Sequence, residues 1–147
     1  MVRKGSTTGL FPYVFDSSAL FNLKKDKKAW KFLKSQADLG QVLIPEQVGN
    51  EVRKGWQSDA ARRFLSSNPK TERALTLQEE RMYFQVMRQK GFLLGKGESA
   101  CIAVAMVNSH PIVMDEKPGT RKARQHALEC HTSQEWLIAT GYTSKKS

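Results

Sequence analysis

GKGESACIAVAMVNSHPIVMD, residues 95–115, reads as a helix followed by a buried strand. Gly97 precedes the helix, which runs from Glu98 to about Asn108, and its interior Ala100–Val107 is apolar on every side. A helix apolar all round is packed on both flanks and does not lie on a surface. Pro111–Met114 (PIVM) is a short apolar run of strand length, and Gly119–Ala127 has helical patterning again.

Outward from this stretch the same alternation continues in both directions. Phe11–Phe15 (FPYVF) reads as a buried strand, followed by a helix from Ser17 to about Leu23. Asp26 is placed to N-cap the next helix, whose stripe is Trp30, Leu33 and Ala37 and which Gly40 ends. Gln41–Ile44 is a second strand, and Pro45 suits the first turn of a helix running to about Trp56. Ser58–Ser66 and Leu77–Gln89 are helical, the latter opened by a Thr76-x-x-Glu79 capping box, with a short strand expected within Arg73–Leu77. A brief strand at Glu129–His131 leads to a last helix opened by Thr132-x-x-Glu135. Short buried strands alternating with helices predict an α/β fold around a mainly parallel sheet of four to five strands.

Nothing marks a second domain: the 147 residues contain no internal repeat, low-complexity tract or Pro/Gly/Ser linker, so 1–147 is read as one domain. Residues 1–9 and 144–147 are polar and expected to be flexible tails. No apolar run approaches the ~18 residues of a membrane span, and the start, MVRKGSTTG, lacks the apolar core of a signal peptide. Cys101 and Cys130 do not form a disulfide framework, which points to a cytoplasmic protein. With 24 Lys and Arg against 14 Asp and Glu, the net charge is +10. That excess suggests a polyanionic partner, most simply nucleic acid.

The acids are the exception to this charge. FPYVF runs into Asp16 and PIVM into Asp115; ligands of parallel α/β sheets bind beyond the carboxyl ends of strands. If the two strands are parallel neighbours, both carboxylates project at one edge. In the helix after Pro45 the apolar stripe is Val48, Val52 and Trp56. Glu51 lies roughly 60° from Val48 on the inward side, and Glu46 roughly 160° away in solvent. Glu98 starts the all-apolar helix in line with Ile102 and Ala105. Each acid has a plain explanation alone: Asp16 as a cap, Glu98 as a first-turn carboxylate. Gathered in one cleft they repel each other, and the usual resolution is a hard divalent cation such as Mg²⁺ or Mn²⁺. Carboxylates and metal in a strongly basic chain suggest phosphodiester hydrolysis.

VFDSSAL at 14–20, IPEQVGNEV at 44–52, GKGESACIAVA at 95–105 and IVMDEKPGTRKAR at 112–124 together resemble the PIN-domain ribonucleases, which include the VapC-type toxins of toxin–antitoxin pairs. The elements occur in family order over nearly the whole chain. The resemblance implies a three-layer PIN-like fold, a central mainly parallel sheet flanked by helices, with an acidic pocket for one or two Mg²⁺ or Mn²⁺ ions. It implies hydrolysis of RNA by a metal-activated water. Position by position, Asp16 matches the first acid, Glu51 the second, Glu98 the third and Asp115 the fourth. Asp16, Glu98 and Asp115 would be the direct metal ligands, and Glu51 an outer ligand or the group that positions the water. Ser18 matches the small hydroxyl residue that orders the first acid. Glu116, following Asp115, opens the alternative that the fourth role is shared or displaced. The stretch from Trp56 to Lys90 matches nothing. As a family member the chain is expected to form a homodimer and to meet a protein antitoxin. The alternative within the same fold is a catalytically idle RNA-binding or scaffold module.

Other signals fall away. Gly91–Lys96 is one residue short between its glycines for a phosphate loop, with Gly97 where Ser or Thr is required. His110, His126 and His131 lack zinc spacing with the cysteines. A DNA-reading helix is not supplied by the all-apolar Glu98–Asn108 helix. Trp30 and Trp56 read as core, and Lys24, Lys27, Lys28, Lys31 and Lys34 as a solvated face. Lys117, Arg121, Lys122 and Arg124 follow Asp115 directly and are the expected contacts for RNA phosphates. Without Asp16, Glu51, Glu98 and Asp115, ten acids face 24 bases, a net +14 around one acidic pocket.

Overall fold

The computed structural model describes residues 12–55, 59–89 and 94–142. The two expected tails, Phe11, Trp56 and the Gly91–Leu93 part of the loop-like stretch lie outside them. In chain order the elements are β1 (Tyr13–Phe15), α1 (Ser17–Leu23), α2 (Lys27–Asp38), β2 (Val42–Pro45), α3 (Glu46–Lys54) and α4 (Asp59–Ser67). A 3₁₀ turn at Pro69–Thr71 follows, then β3 (Glu72–Arg73), α5 (Leu77–Arg88) and α6 (Lys96–Asn108). The chain closes with β4 (Ile112–Val113), α7 (Lys117–Gln125), β5 (Cys130–His131) and α8 (Ser133–Ala139).

Local signals account for most boundaries. Asp26 caps α2 by accepting from the amides of Lys28 and Ala29. Thr76 with Glu79, and Thr132 with Glu135, form full capping boxes. Four of the starts differ from the sequence expectation. Pro45 ends β2 and stands as the extended cap of α3, outside its first turn. The third strand falls at Glu72–Arg73, because backbone pairing with the end of β2 decides it. α6 and α7 begin earlier than read, at Lys96 and Lys117, so Gly97 and Gly119 lie inside helices. Pro118 suits the first turn of α7, where an amide would go unpaired.

The sheet has five strands in the order β3-β2-β1-β4-β5, and every neighbouring pair is parallel. Tyr13 and Phe15, two apart and so on one face of β1, both pack edge-on against Trp136 of α8. Phe32 of α2 joins the same cluster. On the other face, Gly97–Ala105 of α6 are all buried, as the unbroken apolar pattern demands. These two helical layers around the sheet make the three-layer α/β fold. Among the described residues no helix is long and apolar enough to cross a membrane.

Candidate functional site

Register decides where the acids go. β1 and β4 pair directly, Val14 with Ile112 and Phe15 with Val113. One step further, Asp16 stands beside Met114, and the amide of Asp16 donates to the Val113 carbonyl. Side chains alternate with a period of two. Asp115 therefore emerges on the Phe15 side of the sheet, and Glu116 returns to the Asp16 side.

The side chains follow this parity. Asp16, Glu98 and Glu116 bring one carboxylate oxygen each within 4.8 Å of one another. With Ser17, Glu51 and Gly95 they line a pocket of about 340 Å³. Asp115, expected among the metal ligands, is not brought to this cluster. Its Oδ1 accepts from the Ser133 amide at 2.7 Å and its Oδ2 from Asn22 Nδ2 at 2.6 Å. It ties β4 to α8 and α1. Both carboxylates do project at one edge of the sheet, but on opposite faces.

Asp16 is 1% exposed. It occupies the cap position of α1, where the Ser17 and Ser18 amides help hold its pKa down. Its Oδ2 accepts from Ser18 Oγ at 3.0 Å, and Ser18 Oγ in turn accepts the Asp115 amide at 3.1 Å. Its Oδ1 is buried with no partner. Burial raises its pKa to about 6; the Ser18 hydroxyl pulls it down and the charge of Glu51 pushes it up. Glu98, 8% exposed, accepts from the Gly95 amide at 3.0 Å through Oε1, while its Oε2 is buried and unpartnered. Burial is again the largest cause of a pKa raised to about 7; the Gly95 amide opposes it, and the Glu116 and Asp16 carboxylates add to it.

Glu51 is held at the pocket wall. Ser17 Oγ donates to its Oε1 and the Gly97 amide to its Oε2, both at 3.1 Å. Sequence reasoning missed Ser17 and the glycines, whose contacts join segments far apart in the chain. A Cβ on Gly97 would stand 2.4 Å from Glu51 Oε1. One on Gly119 would stand 2.3 Å from Met114 Sδ and 3.0 Å from Glu98 Oε2. Both glycines let a helix approach the acids more closely than any side chain permits.

The expected phosphate contacts divide. Lys122 is 4% exposed and lies within the fold, so it is closed to a phosphate. It shares the buried side of α7 with Gly119 and Ala123. Lys117, Arg121 and Arg124 are exposed and line a separate cleft of about 400 Å³ with Asp115, Thr120 and Thr132.

The residues present fit a hard cation. Two buried carboxylate oxygens without donors are costly unless a positive charge meets them. The cluster is all oxygen, the donor set Mg²⁺ and Mn²⁺ take. Three oxygens that all lie within 4.8 Å of one another are near enough to share one cation with ligands at about 2.1 Å.

Comparison with known proteins agrees with the architecture. The profile of the PIN-domain family DUF3368 matches residues 12–135. No curated protein matches the sequence. Among solved structures, the crystal structure of VapBC2 from Rickettsia felis, bound to a DNA fragment from their promoter, is similar in fold. Its TM-score is 0.56 at 13% identity, over 82% of this chain and 97% of that one.

Proposed function

The chain belongs to the PIN-domain family, and from that premise we propose that it is a Mg²⁺- or Mn²⁺-dependent endoribonuclease, the toxin of a toxin–antitoxin pair. The observation that carries this reading is the convergence of Asp16, Glu98 and Glu116, with Asp16 Oδ1 and Glu98 Oε2 buried and unpartnered. Those three residues would hold the cation, with Asp115 supporting them from the other face of the sheet. When bound, one or two such ions supply a nucleophilic water at neutral pH and neutralise charge on the phosphate.

The chain's own groups do the rest. Ser18 fixes one oxygen of Asp16 and leaves the other free for the cation. Glu51, fixed by Ser17 and Gly97, faces the pocket without joining the cluster and orients the attacking water, taking its proton. Attack on phosphorus in line with the leaving ribose oxygen breaks the strand. Ser17 and Ser18 are not nucleophiles, since their protons hold Glu51 and Asp16.

RNA is the substrate that the family resemblance implies, and the net +10 suits such a polyanion. The proposal places the enzyme in the cytoplasm as a homodimer restrained by a protein antitoxin. The likeness in fold to VapBC2 supports the antitoxin. The test is cleavage of a panel of structured RNAs by purified protein with Mg²⁺, Mn²⁺ or EDTA, beside Asp16→Asn. Cleavage that requires both metal and Asp16 is expected. RNA bound but uncut under every condition would replace the enzyme with an idle binding module.

A further inference from the structure

α7 sorts its residues by charge. At about 100° per residue, Lys117, Thr120, Arg121 and Arg124 share an arc of roughly 100°. Gly119, Lys122 and Ala123 fall on the opposite side and are buried. The cations thus stand in one exposed row at spacings of i, i+4 and i+7. Like charges so placed repel along a helix, yet among the described residues none of the ion pairs engages Lys117, Arg121 or Arg124. Among the described residues Asp115 is the one carboxylate lining their cleft, and both its oxygens already accept hydrogen bonds, from Ser133 and Asn22. Three cations against one carboxylate leave the cleft net positive among the described residues.

Its position says which anion belongs there. Residues 115, 116 and 117 alternate between two pockets: Asp115 and Lys117 line the basic cleft, and Glu116 lines the acidic pocket. Consecutive Cα atoms are about 3.8 Å apart, so the two pockets share a wall one residue thick. We propose that this cleft is a subsite for a backbone phosphate of the RNA strand, the one adjacent to the phosphate cleaved at the acids. The proposal rests on the nuclease reading for the identity of the polyanion and for its place beside the cleaved phosphate.

The groups present suit a phosphate. Two guanidinium forks give paired donors to its oxygens, and Lys117 adds a point charge. Thr132 Oγ accepts the Glu135 amide, which leaves its proton for an acceptor in the cleft. Thr120 offers no proton, having given its own to the Glu116 carbonyl at 2.9 Å. A strand anchored here is held beside the acids by charge rather than by base identity, so the subsite adds affinity without sequence preference.

The test compares Arg121→Gln/Arg124→Gln with a control of equal charge loss, Lys28→Gln/Lys31→Gln on the exposed face of α2. The probe is a fluorescein-labelled single-stranded RNA 12-mer in EDTA, read by anisotropy across a salt series. The cleft variant is expected to bind several-fold more weakly and to lose about 0.7 from the salt slope for each phosphate contact removed. It should shift the slope more than the control does. A methylphosphonate placed next to the cleavage point should weaken the wild type and leave the cleft variant unchanged. In parallel, pyrophosphate in metal-free buffer should raise the melting temperature of the wild type and not of the variant. Wild type that cuts RNA while the cleft variant binds and cuts equally well overturns the subsite and leaves the nuclease standing. Wild type that neither binds nor cuts RNA, yet is stabilised by pyrophosphate through Arg121 and Arg124, overturns the RNA subsite together with the nuclease and leaves a free-anion site only.

Discussion

Glu79 of α5 and Glu98 of α6 hold the same local position in two neighbouring helices. Each is the third helical residue, each is almost fully buried, and each accepts the amide of its cap residue, Thr76 at 2.9 Å and Gly95 at 3.0 Å. Around Glu79 the fold supplies donors: Arg73 bonds both oxygens at 2.7 and 2.8 Å and Asn108 Nδ2 adds a third bond at 2.6 Å. Burial alone pushes its carboxyl up, but these donors outweigh it and hold the pKa at about 2. Around Glu98 the fold supplies two more acids and leaves one oxygen bare. Capping explains the first oxygen of both residues. What the second oxygen meets separates a structural acid from a chemical one.

The largest consequence is for cleavage. A cation's charge stabilisation is worth several kcal/mol, and each 1.36 kcal/mol is a factor of ten in rate. Glu98→Gln should therefore lower metal-dependent RNA cleavage by about a thousandfold. Glu79→Gln should leave the rate of the folded protein within a few-fold, measured as initial rates on a quenched fluorescent RNA. Equal losses would erase the distinction between the two glutamates.

Stability should reverse the ranking. Removing the charge of Glu79 strands Arg73, and breaking a buried pair costs about 3–5 kcal/mol. Arg73 is 37% exposed, so about 2–3 kcal/mol is expected for Glu79→Gln once solvent screening is allowed for. Glu98→Gln in EDTA removes one member of a repelling cluster and should leave stability unchanged or raised. Urea unfolding of both variants without metal decides it.

A smaller effect appears with pH. In the metal-free protein Asp16 and Glu98 keep their protons to about pH 6 and 7, against ordinary values of 3.8 and 4.5. Between those limits the folded state binds more protons than the unfolded chain, so stability falls as pH rises from about 4 to 7. The loss should show as a falling melting temperature across that range, and Mg²⁺ should restore it. Glu79 acts at the other end: its contribution is complete above about 4.5 and is lost as pH falls toward 2. Melting curves from pH 3 to 8 should show Glu98→Gln flattening the neutral limb and Glu79→Gln the acid limb.

Much of this arrangement is legible in the residues. The all-apolar run at 100–107 places α6 in the interior, and the capping boxes fix the starts of α5 and α8. Asp16, Glu51 and Glu98 do line one pocket. Lys122 is not legible as buried, because lysine is seldom buried and the face of α7 that turns inward is set by packing against the rest of the fold. The roles of Ser17 and Gly97 depend on contacts between elements 34 and 46 residues apart, which no local pattern encodes. The pairing partner of Glu79 is hidden for a different reason. Arg73 reaches it across a turn whose direction is set by the pairing of β3 with β2.

The tandem acids give the finest test, because Asp115 and Glu116 are chemically alike and differ only in parity. Asp115→Asn keeps an oxygen for the Ser133 amide. Its new NH₂ can donate to Asn22 once the Asn22 amide turns over, which costs the bond from Lys25 to Asn22 Oδ1. One exposed hydrogen bond exchanged for another should cost about 1 kcal/mol or less. Affinity for Mn²⁺, titrated calorimetrically into metal-stripped protein, should stay within about threefold of wild type, a free-energy change below 1 kcal/mol. Glu116→Gln, one residue on, should weaken the same titration at least tenfold, or about 1.4 kcal/mol. If Asp115→Asn were the variant that lost the metal, the alternation of β4 would not continue past Val113. Asp115 would then reach the acidic face, and the basic cleft on its own side of the sheet would open.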